Sequence, residues 1–263
     1  MNDLDGFARS AEAFDGVTHD VYRAGSGPAV IVIHEIPGLM PSTAAFARRL
    51  IDVGFTVWMP SLFGQPGRDA SGGYVLTSLA RVCVSREFHM FALGRSSPVV
   101  VWLRALAAKA HDECGGPGVG AIGMCFSGGF ALAMAADDRM IAPVLSQPAN
   151  PAPLSSSRAA SLDITPVDFA RVKQRTADDG LCVLGLRFGN DQAVPAARFE
   201  MLRRELGDAF ISVEIDSSPG NAYGIPKSAH SVLTEHFVDE PGHPTRAALD
   251  QVIGFFRRRL LAT

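Results

Sequence analysis

Short apolar runs alternate with amphipathic stretches along most of this chain, and that alternation constrains its fold more than any other feature. Ala29-Val30-Ile31-Val32-Ile33 is unbroken by a polar residue, as a strand buried on both faces requires. Phe55–Met59, Val119–Ile122, Ile141–Leu145, Leu181–Leu186 and Phe210–Ile215 read as further strands, the second of the six ended by Pro60. Helical patterns lie between them. Pro41–Val53 sets Phe46, Leu50 and Val53 on one face and stops at Gly54. Ser97-Pro98 opens another helix, with a capping serine followed by a first-turn proline, and Thr165-Pro166 opens one more. Ser127–Ala136, Pro195–Leu206 and a last stretch from Pro244 complete the set. Such alternation implies a mostly parallel sheet with helices on both faces. In sheets of this kind the reactive groups sit just past the carboxyl ends of strands.

Composition narrows the classes. The chain has 263 residues, 47% apolar and 19% charged, which excludes disorder and suits a single α/β domain over residues 1–263. Residues 1–17 read as an N-terminal extension. Lys+Arg number 24 against Asp+Glu 27, for a net charge of −3, so nucleic acid and anionic membranes are not expected partners. Met1–Ser10 is polar and lacks the basic start and apolar core of a secretion signal. No apolar run approaches the ~18 residues of a membrane span, and a cytoplasmic location is expected. Cys83, Cys114, Cys125 and Cys182 form no CxxC pair and no zinc spacing. No metal or other cofactor is expected, and the cysteines read first as small buried hydrophobes.

One cysteine asks for more. After the strand Val119–Ile122 comes Gly123-Met124-Cys125-Phe126-Ser127-Gly128-Gly129, a tight turn leading into a helix. A nucleophile in such an elbow needs small residues two before and two after it. Two registers satisfy this: Cys125 between Gly123 and Ser127, or Ser127 between Cys125 and Gly129. The first is preferred, because it puts the turn at the strand end with glycine where strand meets turn. A helix N-terminus also favours a thiolate. Read alone, the segment is equally a buried cysteine in a glycine-rich turn.

Here the chain resembles the dienelactone hydrolase family of the α/β-hydrolase fold, over about Ala29 to Leu260. The family's nucleophile motif G-x-C-x-G-G is matched by Gly123-Met124-Cys125-Phe126-Ser127-Gly128, with serine departing at the fifth position. Its Q/H-E-I-F-G segment is similar to His34-Glu35-Ile36-Pro37-Gly38, and its C-P-D-L-Y turn to Met59-Pro60-Ser61-Leu62-Phe63. Its G-x-D-x-x-V-P acid pattern is similar to Gly189-Asn190-Asp191-Gln192-Ala193-Val194-Pro195, and its histidine–serine pair to His230-Ser231. The order Cys125, Asp191, His230 is also the order of nucleophile, acid and base that the fold requires. Read alone, Asp191 is an ordinary turn aspartate. His230, His236 and His243 all fall between the last strand and the last helix; the resemblance favours His230. The loop before it, residues 217–229, is longer than the family's usual one.

The resemblance implies a single-domain α/β-hydrolase that cleaves a small ester or lactone, a carboxylic ester hydrolase of the carboxymethylenebutenolidase class. A Cys125 thiolate would attack the carbonyl and form a thioester, with His230 moving protons and Asp191 holding its tautomer. Backbone N–H groups of Phe126 and Ile36 would form the oxyanion hole. Glu35 would support the thiol, since a carboxylate beside a thiol disfavours the thiolate; otherwise it reads as one half of a structural salt bridge. Family arginines grip a substrate carboxylate, but the position four residues past the histidine is Thr234 here. Arg86 is a loose candidate for the other arginine, and Phe63, Phe88 and Phe126 for an apolar pocket. A neutral ester or lactone is the expected substrate, and a monomer or small homo-oligomer the expected state. The alternatives are a non-catalytic small-molecule binding module on the same fold and a redox-sensitive thiol at Cys125.

Overall fold

The computed structural model describes residues 4–85, 96–149, 162 and 164–261, with only the backbone at 83 and 84. Its elements in chain order are β1 (Ala8–Phe14), β2 (Val17–Gly25), β3 (Ala29–Ile33), α1 (Pro41–Asp52), β4 (Thr56–Ser61), α2 (Gly72–Val84), α3 (Pro98–Cys114) and β5 (Val119–Met124). After a 3₁₀ turn at Cys125–Ser127 come α4 (Gly128–Met134), β6 (Met140–Ser146), α5 (Pro166–Asp178), β7 (Val183–Phe188), α6 (Ala196–Leu206), β8 (Phe210–Ile215) and α7 (Pro244–Phe256). The eight strands form one sheet in the order β1-β2-β4-β3-β5-β6-β7-β8. β1 and β2 pair antiparallel with each other, and β2 antiparallel with β4. Every other pair is parallel. This is a single α/β domain with the α/β-hydrolase fold.

The sheet's two faces pack into two cores, and β3 shows why an unbroken apolar run was needed. Ile31 and Ile33 face the core of α3, α4 and α6, which also holds Trp102, Phe130 and Phe199. Val30 and Val32 face the core of α1 and α7, beside Phe46, Leu50, Val252 and Phe256. At about 25 cal/mol per Å² of apolar area, burial of this kind is the main force holding the layers together.

Differences from the sequence reading are local. β1 lies in the segment expected to be an extension, where no strand is read; it covers the outer edge of β2. Pro60 sits inside β4 rather than ending it. Parallel pairing with β3 stops at Ile31–Trp58, so Pro60 faces only β2, opposite Val21, where a missing N–H is tolerated. Ser97 stands at the N-cap position of α3 but makes no capping bond, whereas Thr165 accepts the Asp168 N–H as expected. Cys114, Cys125 and Cys182 are free and half-buried rather than buried. Among the described residues, no helix is long and apolar enough to cross a membrane.

Candidate active site

The site is built on the register of three neighbouring strands. Ile33 pairs with Gly123, and Met124 with Ser146. Ile36 and Phe126 therefore each lie three residues past a paired position, and Cys125 and Gln147 each one residue past the next pair. Both Cys125 (φ 55°) and Gln147 (φ 37°) hold a left-handed backbone, although neither is glycine. Gly123 has no room for a side chain: a Cβ there would stand 2.1 Å from the Ser127 carbonyl oxygen.

Ser127 is fully buried, and its hydroxyl is used by the backbone. It accepts the Met124 N–H at 2.8 Å and lies 2.9 Å from the carbonyls of Ile33 and Met124. It thus locks the end of β5 to the end of β3. Cys125 is only partly covered, packed against the core that contains Phe126 and borders Ile36, Phe63 and Ala149. Phe63 sits between His34 and Phe126, with ring centroids 4.5 and 6.4 Å away.

Asp191 follows β7. Its Oδ1 accepts the Ala193 N–H at 2.9 Å, and its Oδ2 lies 2.6 Å from Nδ1 of His230. Cys125 acts on the same imidazole and favours its charged form. Burial disfavours a charged imidazole, but the bond to Asp191 and then the influence of Cys125 outweigh it and push the His230 pKa up from 6.5 to about 11. His236 and His243 have other tasks. Nδ1 of His236 accepts the N–H groups of His230 and Ser231 at 3.4 and 3.3 Å. His243 caps α7, accepting the Thr245 N–H.

Among the described residues Glu35 makes no salt bridge and no hydrogen bond to Cys125. It is buried, and its carboxylate accepts Ser231 Oγ–H at 2.6 Å, Thr234 Oγ1–H, and Gln147 Nε2–H at 3.4 Å. Thr234, at the position of the family's arginine, thus points at Glu35. His34 is fully buried; its Nε2 accepts the Leu62 N–H at 3.1 Å, so Nδ1–H donates to the Glu35 carbonyl at 2.9 Å. Burial pushes its pKa down to about 4, only partly offset by that carbonyl. The Ile36 N–H has no hydrogen-bond partner among the described residues. Arg86 and Phe88 lie outside the described residues.

A cleft of about 580 Å³ opens beside Asp191 and His230, lined also by Asn190, Gln192, Ala193, Lys227 and Ser228. Gln147 and Lys227 escape sequence reasoning. Nothing local marks Gln147 except its place directly after a buried strand. Lys227 lies in the long loop, and its charge is the only available cue.

The model of the dienelactone hydrolase family matches residues 14–258. Among solved structures, a Klebsiella pneumoniae chain named as a candidate dienelactone hydrolase superposes with a TM-score of 0.63 at 18% identity, covering 96% of this chain and 98% of that one. A dienelactone hydrolase from Anabaena variabilis gives 0.60 at 16% identity, covering 97% and 98%. A cold-adapted esterase from an Arctic intertidal metagenomic library gives 0.58 at 15% identity, covering 96% and 92%. At these identities the superpositions speak for the fold alone. No curated protein matches the chain significantly.

Proposed function

The chain belongs to the dienelactone hydrolase family, and from that premise we propose that it hydrolyses a small carboxylic ester or lactone through a Cys125 thioester. The observation that carries the reading is the His230 imidazole, held by Asp191 at 2.6 Å and with its charged form favoured by Asp191 and Cys125 together. The Cys125 thiolate attacks the carbonyl carbon and the carbonyl oxygen becomes an oxyanion, met by the N–H groups of Phe126 and Ile36. The C–O bond to the leaving group then breaks, and protonated His230 gives its proton to the departing oxygen. Water attacks the thioester with His230 as base, releasing the acid and the thiol. Asp191 holds the Nδ1–H tautomer and stabilises the imidazolium.

The register with Cys125 is favoured because the alternative nucleophile, Ser127, is buried and bonded to two strand ends. Phe63 and Phe126 supply an apolar wall for the substrate. The test is turnover of a generic aryl ester or lactone. Cys125→Ala and His230→Ala are expected to lower kcat/KM by at least about a thousandfold, and mass spectrometry of quenched Cys125 enzyme to find an acyl adduct. Undiminished turnover in Cys125→Ala would sink the proposal, and absence of turnover by the native protein would leave the binding-module reading in its place.

A further inference from the structure

We propose that Glu35 is a positioning residue that seats the His230 segment against Cys125; this role rests on the cysteine mechanism above. Glu35 is 2% exposed, and both carboxylate oxygens are engaged from the histidine side. Ser231 donates to Oε2 and Thr234 to Oε1. Gln147 donates to Oε2 and, through its own Oε1, accepts the Val232 N–H at 3.3 Å. Residues 231, 232 and 234 are therefore all tied to one carboxylate, directly or through a single amide. No cation pairs with Glu35 among the described residues.

A buried carboxylate is costly unless its oxygens are hydrogen-bonded. Here two of the three donors belong to the segment that carries His230, and the third, Gln147, clasps that segment as well. Burying Glu35 and seating His230 are thus one event. His236 reinforces it by accepting the N–H groups of His230 and Ser231. The β3 end meets the β5 end that carries Cys125, because Ile33 pairs with Gly123. Glu35 therefore transmits the position of the strand ends to a loop that no strand holds. A misplacement of about 1 Å in a reacting group costs roughly a hundredfold in rate, so this is an adequate reason for the cluster.

The experiment compares Glu35→Gln, Glu35→Ala and Thr234→Val. It reads aryl-ester kinetics and the pH dependence of iodoacetamide alkylation at Cys125, followed on the Cys125 peptide by mass spectrometry. Circular dichroism checks folding. Glu35→Ala is expected to lower kcat roughly tenfold to a hundredfold with KM little changed, and to move the alkylation midpoint upward as the imidazole leaves the thiol. Glu35→Gln keeps an acceptor for the hydroxyls; it should restore most of kcat and return the midpoint to that of the native protein. Thr234→Val removes one donor and should fall between the two, and it carries the test if Glu35→Ala does not fold. The proposal is overturned if Glu35→Gln loses as much kcat as Glu35→Ala, or if its alkylation midpoint drops, as loss of a charge facing the thiol would produce. Turnover retained in Cys125→Ala would overturn the cysteine mechanism and this role with it; turnover lost there leaves the Glu35 arms to decide this role alone.

Discussion

Cys125 and Gln147 end adjacent strands in a backbone conformation that costs a non-glycine residue about 1–2 kcal/mol. Both are pinned from outside: the Cys125 carbonyl accepts the Ala149 N–H at 2.9 Å, and the Gln147 N–H reaches the Leu186 carbonyl at 2.7 Å. Burial disfavours the charged form of both histidines beside them, and only His230 has partners that reverse it. His34 is held neutral, with its pKa lowered from 6.5 to about 4. The unfolded chain then binds a proton that the native state refuses, so stability is lost as pH falls from 6.5 toward 4. Glutamine at this position would serve the Leu62 N–H and the Glu35 carbonyl without titrating. The melting temperature of His34→Gln should therefore drop less between about pH 6.5 and pH 4.5 than that of the native protein. His230 is the reverse case, with its pKa raised to about 11. Its contribution is complete below 6.5 and fades as pH rises toward 11, so the gap in melting temperature between the native protein and His230→Asn should narrow over that range. A gap independent of pH would mean that the bond to Asp191 draws nothing from the imidazolium charge. Cys125 and Asp191 are legible in the sequence because each follows an apolar strand and a glycine. Gln147 is not, because its partners, Glu35 and Val232, are distant in the chain and only tertiary structure joins them.

Between β5 and α4 a single hydroxyl holds the turn. Ser127→Ala would strand the Met124 N–H and remove a donor to the end of β3, which should cost about 1–3 kcal/mol in denaturant unfolding. Turnover should nonetheless persist. A folded Ser127→Ala protein without activity, beside an active Cys125→Ser protein, would instead favour the second register. Gly123→Ala should be worse for stability, by more than about 2 kcal/mol, because its Cβ would meet a backbone carbonyl rather than a movable side chain. The elements the sequence reveals are those whose chemistry is local: β3 by its unbroken apolar run, α1 and α5 by proline in the first turn. β1 is hidden because only one of its seven residues is buried, so no apolar period announces it. Half-buried β2 is hidden for the same reason. Residue-level patterning reports burial, and elements at the rim of a sheet have little to report.

Taken whole, the molecule is a parallel sheet with an antiparallel margin. β1 covers β2 and packs on α3: the Trp102 indole N–H donates to the Glu12 carbonyl, Lys109 pairs with Glu12 at 2.7 Å, and Phe14 meets the Trp102 ring edge-on. Removing residues 1–15 would bare both Trp102 and the edge of β2, an open template for strand pairing. The truncated protein should scatter more light and sediment as larger species than the full chain, and a truncation that sediments like the full chain would show that β1 does not guard that edge. The groups assigned to the reaction and its support come from the ends of β3, β5, β6 and β7 and the loop after β8, while β1 and β2 contribute none. The hairpin and β8 lie at opposite margins of the sheet. This separation makes the first strand a natural handle: fixed to a bead or fused to a carrier through that end, the protein would present its cleft to the medium.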